Sequence, residues 1–173
     1  MTRLSRIFSV FAATLLLAAC ATTERLAAAG DVHALLVSIR ENDRDAFEAH
    51  IDRRALERQL EARLQAQADR ADVGDDWKAL GGLLAGPLSR VAGEALIRPE
   101  VFRTVAESYG YGPDKPIPNT FAVAGLLRSL PDGRVCAPRK KHGPCLLTFA
   151  DEGGTWRLVS FEGDASMLRR KGG

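Results

Sequence analysis

Apolar residues recur at two different spacings along this 173-residue chain, and the change of spacing divides it. From Asp31 to about residue 108 the period is helical. Leu35, Leu36 and Ile39 share one face of a helix that Asp31 is placed to cap, and Asn42/Asp43 interrupt it before Ala46, Phe47 and Ile51 resume the pattern. Asp52 then precedes a strongly charged helix in which Leu56, Leu60 and Leu64 recur every four residues. That narrow stripe suits the domain's own sheet or a partner helix, the core being the plainer reading. Ala79 to Ile97 is apolar enough to suggest a second membrane element, but Pro87, Arg90 and Glu94 make insertion costly, so a buried helical pair broken near Gly86-Pro87 is expected. Pro99 at a first helical position, with Glu100 beside the positive end of the helix dipole, opens another helix to about Ser108.

The last third is strand-like. Arg134 to Ala137, Pro144 to Ala150 and Thr155 to Phe161 are short runs of β-branched, aromatic and aliphatic residues, and Asp151-Glu152-Gly153-Gly154 supplies hairpin chemistry between the latter two. Strict alternation places Trp156 and Leu158 on one face, with Val159 and Phe161 on the other. Tyr109 to Pro118, with three prolines and two glycines, is an irregular connection. Residues 119–130 fit a short helix or a strand, with a lean to helix before Pro131-Asp132-Gly133 turns the chain. The fold class expected is α+β: N-terminal helices packed on a small C-terminal antiparallel sheet, on the lines of cystatin- or NTF2-like folds.

Ahead of this domain, Arg3 and Arg6 precede an apolar stretch from Ile7 to Leu17, within the length of a signal core and short of the roughly 20 apolar residues that span a bilayer. Leu17-Ala18-Ala19-Cys20 resembles the lipobox of bacterial lipoproteins, which implies cleavage between Ala19 and Cys20 and acylation of the Cys20 thiol. Several acyl chains, at about 0.8 kcal/mol per buried methylene, hold a protein on a membrane essentially permanently. Ala21, where sorting to the inner membrane would use Asp, implies the periplasm-facing side of the outer membrane. The organisation expected is a signal peptide over residues 1–19, a lipidated tether over 20–30, one domain over 31–163 and a flexible basic tail over 164–173.

The formal charge of +2 disappears with Arg3 and Arg6, leaving a neutral mature chain without the basic footprint of a nucleic-acid binder. Cys136 and Cys145 remain as a pair in an oxidising compartment, flanking Ala137-Pro-Arg-Lys-Lys-His-Gly-Pro144 between two predicted strands. A structural disulfide across that hairpin, stabilising by about 2–3 kcal/mol, is expected. Two cysteines with one nearby histidine do not complete a zinc site, and the spacing is not that of a C-x-x-C redox pair. No metal and no cofactor are expected. The braced loop carries Arg139, Lys140, Lys141 and His142, a positive patch that suits an anionic contact or simply solubilises a turn.

Catalytic signatures are not evident. His33, His50 and His142 are dispersed, and neither G-x-S-x-G nor H-E-x-x-H occurs. His50 beside Asp52 is a weak acid/base candidate, and Glu57 and Glu61 among Arg53, Arg54 and Arg58 read as an ion-paired solvated face. Ser38 to Asp43, His50-Ile-Asp52 with Leu56 and Leu60, Leu96 to Phe102 and Trp156-Arg-Leu158 together resemble the bacterial family domain of unknown function 2939, over most of Asp31 to Phe161. The resemblance implies a membrane-anchored or exported α+β protein and carries no catalytic residues; the lipid anchor and the cysteine hairpin depart from it. A non-enzymatic envelope lipoprotein is therefore expected, binding a protein, lipid or glycan in a concave face between helices and sheet. The rivals are a small hydrolase of envelope polymers and a purely structural envelope protein.

Overall fold

The computed structural model describes residues 2–70, 86–88, 90–108, 110–139 and 143–162. Short polar side chains punctuate the helical part. Helix α1, Thr2–Glu41, stops where Asn42 adopts a left-handed φ of 59°, a conformation asparagine tolerates. The Asp43 carboxylate then accepts from the Ala46 N–H at 3.0 Å to start α2, Arg44–Ala49. The Asp52 carboxylate does the same for Ala55 at the head of α3, Arg53–Arg70. Residues 86–88 and 90–96 are helical, and α4, Pro99–Ser108, opens on the proline as expected. The ambiguous stretch resolves into both forms: α5, Thr120–Leu126, capped by Asn119, followed directly by strand β1, Arg128–Ser129.

Strands β2, Val135–Pro138, β3, Cys145–Glu152, and β4, Thr155–Phe161, complete an antiparallel meander in the order β1-β2-β3-β4. Gly153 and Gly154, both at positive φ, make the two-residue turn between β3 and β4, whose twist matches that of the strands it joins. One face of the sheet is covered by helices. Phe149, Leu158 and Val135 from the strands meet Ala28, Ala29, Val32 and Leu35 of α1, Phe47 of α2, Leu56 of α3 and Val123 of α5 in one buried cluster. The α+β arrangement is as expected.

Several local expectations are corrected. Asp31 does not cap a helix: it lies inside α1, which continues unbroken through the residues expected to form a tether, and Ala28 and Ala29 are fully buried, so the core begins ahead of Asp31. Phe161 does not oppose Leu158 across the sheet. Phe149 pairs with Leu158 and Thr148 with Ser160, so Val159 is an extra residue in β4, and this bulge returns Phe161 to the helix-covered face. Its ring there lies 5.8 Å from that of Phe102, which in turn meets Phe47 edge-on at 5.3 Å. In the segment expected to be a buried helical pair, Leu88, Val91 and Leu96 are exposed while Ile97 is buried; residues 79–85 lie outside the described residues. The leucine stripe of α3 faces β4, with Leu56 in the core and Leu60 and Leu64 half-buried.

The outer edge of β4 is occupied by these same helices. Asp31 accepts from the Trp156 N–H at 2.8 Å, the His50 carbonyl from Leu158 N–H at 2.9 Å, and Gln59 Oε1 from Phe161 N–H at 3.0 Å. The Asp52 N–H donates back to the Leu158 carbonyl at 2.9 Å. An edge strand otherwise offers a template for pairing with another chain, and here alternate backbone groups are already engaged.

Candidate functional site

Charged residues on α3 recur at Arg54, Glu57, Arg58 and Glu61, positions that share one face of a helix. With Gly86 and Arg90 from the segment across from them, they line an open cavity of about 380 Å³. The two walls approach closely because Gly93 carries no side chain: a Cβ there would stand 2.9 Å from Glu57 Cγ. Arg53 fastens the same wall. Its guanidinium binds the Glu48 carboxylate of α2 and donates to the carbonyls of Ile97 at 2.9 Å and Gly93 at 3.4 Å. The Glu48 hydrogen bond holds the Arg53 proton more firmly than usual, against a partial loss of solvation.

Arg58 reaches the Asp52 carboxylate at 3.8 Å, while Arg54 and Arg90 make no ion pair among the described residues. The expected ion-paired face is thus differently wired: Arg53 turns to Glu48, and Glu57 and Glu61 stay in the cleft beside the remaining arginines. Guanidinium groups present a planar fork of donors that matches carboxylate and phosphate, and here they stand beside two carboxylates of the same cleft. Arg90 was not among the expected site residues. The i, i+3, i+4, i+7 spacing of the four α3 residues is the sequence signal that marks this face, whereas nothing local ties Arg90 to it.

The region expected to hold a ligand, between helices and sheet, is filled by the core cluster. His50 lies near there, but its partner is Asp31, 3.5 Å from Nε2, and Asp52 is committed to capping α3. Nδ1 faces the Ala46 carbonyl at 2.8 Å, which can only accept, so this nitrogen carries a hydrogen. Nδ1 is thereby committed to the protein itself, and Nε2 stands beside the Asp31 carboxylate. His33 is similarly spent on the Pro118 carbonyl at 2.9 Å, fixing the 110–118 connection against α1.

Cys136 and Cys145 form a disulfide with Cα atoms 5.6 Å apart. They are not cross-strand partners: Cys136 lies opposite Thr148 and Cys145 opposite Pro138, and a register shift between Ala137 and Pro138 brings the two sulfurs together diagonally. Arg128 of β1 covers the bridge, donating to Cys145 Sγ at 3.3 Å and to the Gly143 carbonyl at 3.4 Å. Of the basic patch, Arg139 is exposed and its N–H donates to the Pro144 carbonyl at 3.2 Å; Lys140, Lys141 and His142 lie outside the described residues, as does the 164–173 tail. Ala19 and Cys20 fall on α1. Among the described residues, no helix is long and apolar enough to cross a membrane.

No curated protein and no solved structure matches this chain. A family described as Protein of unknown function (DUF2939) matches residues 13–105, a span that takes in Ser38 to Asp43, His50 to Asp52 and Leu96 to Phe102 but stops short of Trp156-Arg-Leu158. The matched residues run from within α1 through most of α4 and make up more than half of the sequence, and on that ground the chain belongs to the DUF2939 family.

Proposed function

We propose that this protein is a non-catalytic binding module, tethered through acylated Cys20 to the periplasm-facing side of a bacterial outer membrane, that uses the α3 cleft to hold an anionic group of an envelope partner. The observation that carries the reading is the placement of Arg54, Arg58 and Arg90 around one open cavity, with Arg54 and Arg90 unpaired among the described residues. Glu57 and Glu61 in the same cleft set a second requirement. A partner presenting only negative charge meets two carboxylates, so a surface that offers a carboxylate or phosphate beside a basic group fits better than a plain polyanion. A non-catalytic role is supported by the placement of His50, whose Nδ1 is bonded to the Ala46 carbonyl and whose ring does not line the α3 cleft. The anchor is supported by the apolar stretch Ile7 to Leu17 ending in Leu17-Ala18-Ala19-Cys20.

The test is covalent cross-linking of the full lipidated protein in intact cells, comparing the parent with an Arg54→Glu/Arg90→Glu variant. A cross-linked neighbour present in the parent, weakened by salt in extracts and lost in the variant is the expected result. An unchanged set of neighbours in the variant removes the cleft from the function. Mass measurement of the mature N-terminus reads the anchor independently.

A further inference from the structure

Helix α5 carries no charge, and two faces of it differ in what covers them. Val123 and Ala124 are buried in the core cluster with Ala28, Ala29 and Val32 of α1, along which α5 packs. The opposite face consists of Phe121, Ala122, Gly125 and Leu126, all exposed, with Phe121 81% and Leu126 60% accessible. On α1, Leu26, 45% accessible, and Ala27 are exposed just ahead of the buried Ala28 and Ala29. A helix apolar on every side is ordinarily covered on every side. Isolated exposed apolar residues are common, but several grouped on one face of an uncharged helix mark an interaction surface.

We propose that this α1/α5 face rests on the lipid surface that holds Cys20. The inference deepens the anchor reading and depends on it for the identity of the occupant. Its argument is position. At 1.5 Å of rise per residue, Leu26 stands about 9 Å along α1 from Cys20, and the helix is unbroken between them, so this part of the domain is held within contact of the bilayer instead of trailing on a flexible stalk. Chemistry agrees with position: Phe121, Leu26 and Leu126 supply the apolar side chains that enter the boundary between headgroups and acyl chains. The far end of α1 provides the contrast. Lys115, whose carbonyl accepts from Arg40, and the neighbouring exposed Tyr111 belong to a connection fixed about 30 Å further along the helix from Cys20.

A photoreactive diazirine amino acid placed at position 121 of the full-length chain, or at position 111 for comparison, reports the occupant directly when irradiated in intact cells. Phospholipid adducts at 121 in roughly tenfold excess over 111 are expected, as befits a residue seated in the membrane interface. Leu26→Glu with Leu126→Glu should abolish them; because both sites are exposed, an unchanged urea midpoint shows that the fold survives. Adducts at 121 to a second copy of the chain or to another polypeptide, or no adduct at all, overturn the proposal. The mass of the mature N-terminus separates this outcome from failure of the anchor. Acylated Cys20 without lipid adducts at 121 removes the docking face and leaves the anchor, whereas lipid adducts at 121 with Cys20 unmodified keep the face and remove the anchor.

Discussion

Replacing Asp31 with alanine isolates a contact that joins the first helix to the last strand. The Asp31 carboxylate accepts from Trp156 N–H at 2.8 Å and stands 3.5 Å from His50 Nε2. Removing it leaves the Trp156 amide, part-buried at the sheet edge, without its acceptor, at a cost of about 2 kcal/mol for a hydrogen bond to a charged group. For a domain of this size that corresponds to a fall in melting temperature of roughly 4–8 °C. Urea denaturation followed by tryptophan fluorescence measures the loss, since Trp156 itself is buried. Asp31→Asn keeps a neutral carbonyl acceptor for the amide and should recover roughly half of the loss, about 1 kcal/mol. Stability alone would not separate this role from helix capping, because a lost cap also costs roughly 0.5–2 kcal/mol. Hydrogen exchange does separate them. The edge role predicts faster exchange at the Trp156 amide in the alanine variant, whereas a capping role predicts it at residues 33 and 34. An alanine variant with parental stability and an unchanged Trp156 exchange rate refutes the edge role.

Three further outcomes follow from contacts elsewhere. Arg53→Met should destabilise by about 1–3 kcal/mol, and Arg53→Lys should recover little of it, because a single ammonium cannot reach Glu48 and the Ile97 carbonyl with the geometry of the guanidinium fork; full rescue by lysine in urea titrations would contradict this. Opening the disulfide, by Cys136→Ala with Cys145→Ala, should cost about 2–3 kcal/mol for so short a loop, and coincident unfolding midpoints with and without the bridge would dismiss the constraint. The Glu100 carboxyl is held below its usual value first by a backbone N–H at the start of α4 and then by the Asn42 side chain. Its contribution to stability is therefore present above the usual glutamate range and is lost as pH falls through the lowered folded-state value. Glu100→Gln should flatten that part of the acid limb of a stability-pH curve, and superimposable limbs would show that the contact is immaterial.

What could be read from the sequence was what is decided within a few residues. Asp43 and Asp52 mark helix starts because a short side chain satisfies an amide three positions on, Asn42 marks a helix end because asparagine tolerates a left-handed φ, and Gly153-Gly154 marks a turn because both residues sit at positive φ. The Cys136–Cys145 bridge was legible from spacing, although its diagonal register was not. Asp31 carried a capping signal as strong as that of Asp52. Its actual partner, Trp156, lies 125 residues away and leaves no local trace. Alternation alone sends Phe161 to the opposite face from Leu158, because it counts residues and the extra Val159 shifts the count by one. In the site, the striped face of α3 is visible in the spacing, whereas the approach of Arg90 depends on Gly93 and on Arg53 drawing the Gly93 and Ile97 carbonyls toward α3.

The family match ends at residue 105, yet the buried cluster does not respect that limit. Leu35, Phe47, Ile51 and Leu56 from the matched part are covered by Val135, Phe149, Trp156 and Leu158 from beyond it, and Ile51 is bonded into the edge of β4 through its neighbours His50 and Asp52. Exposing four such side chains forfeits about 1.5–3 kcal/mol each, which by itself is comparable with the whole net stability of about 5–15 kcal/mol typical of a domain. The helices of the matched span therefore require the sheet as their inner wall. A chain ended after Ser108 should show helical circular dichroism without a cooperative urea transition, and should bind a hydrophobic dye that the full chain excludes. Cooperative unfolding of that fragment, with its dye binding as low as the parent's, would mean that the matched helices close on themselves and that the sheet is an addition to a domain already complete.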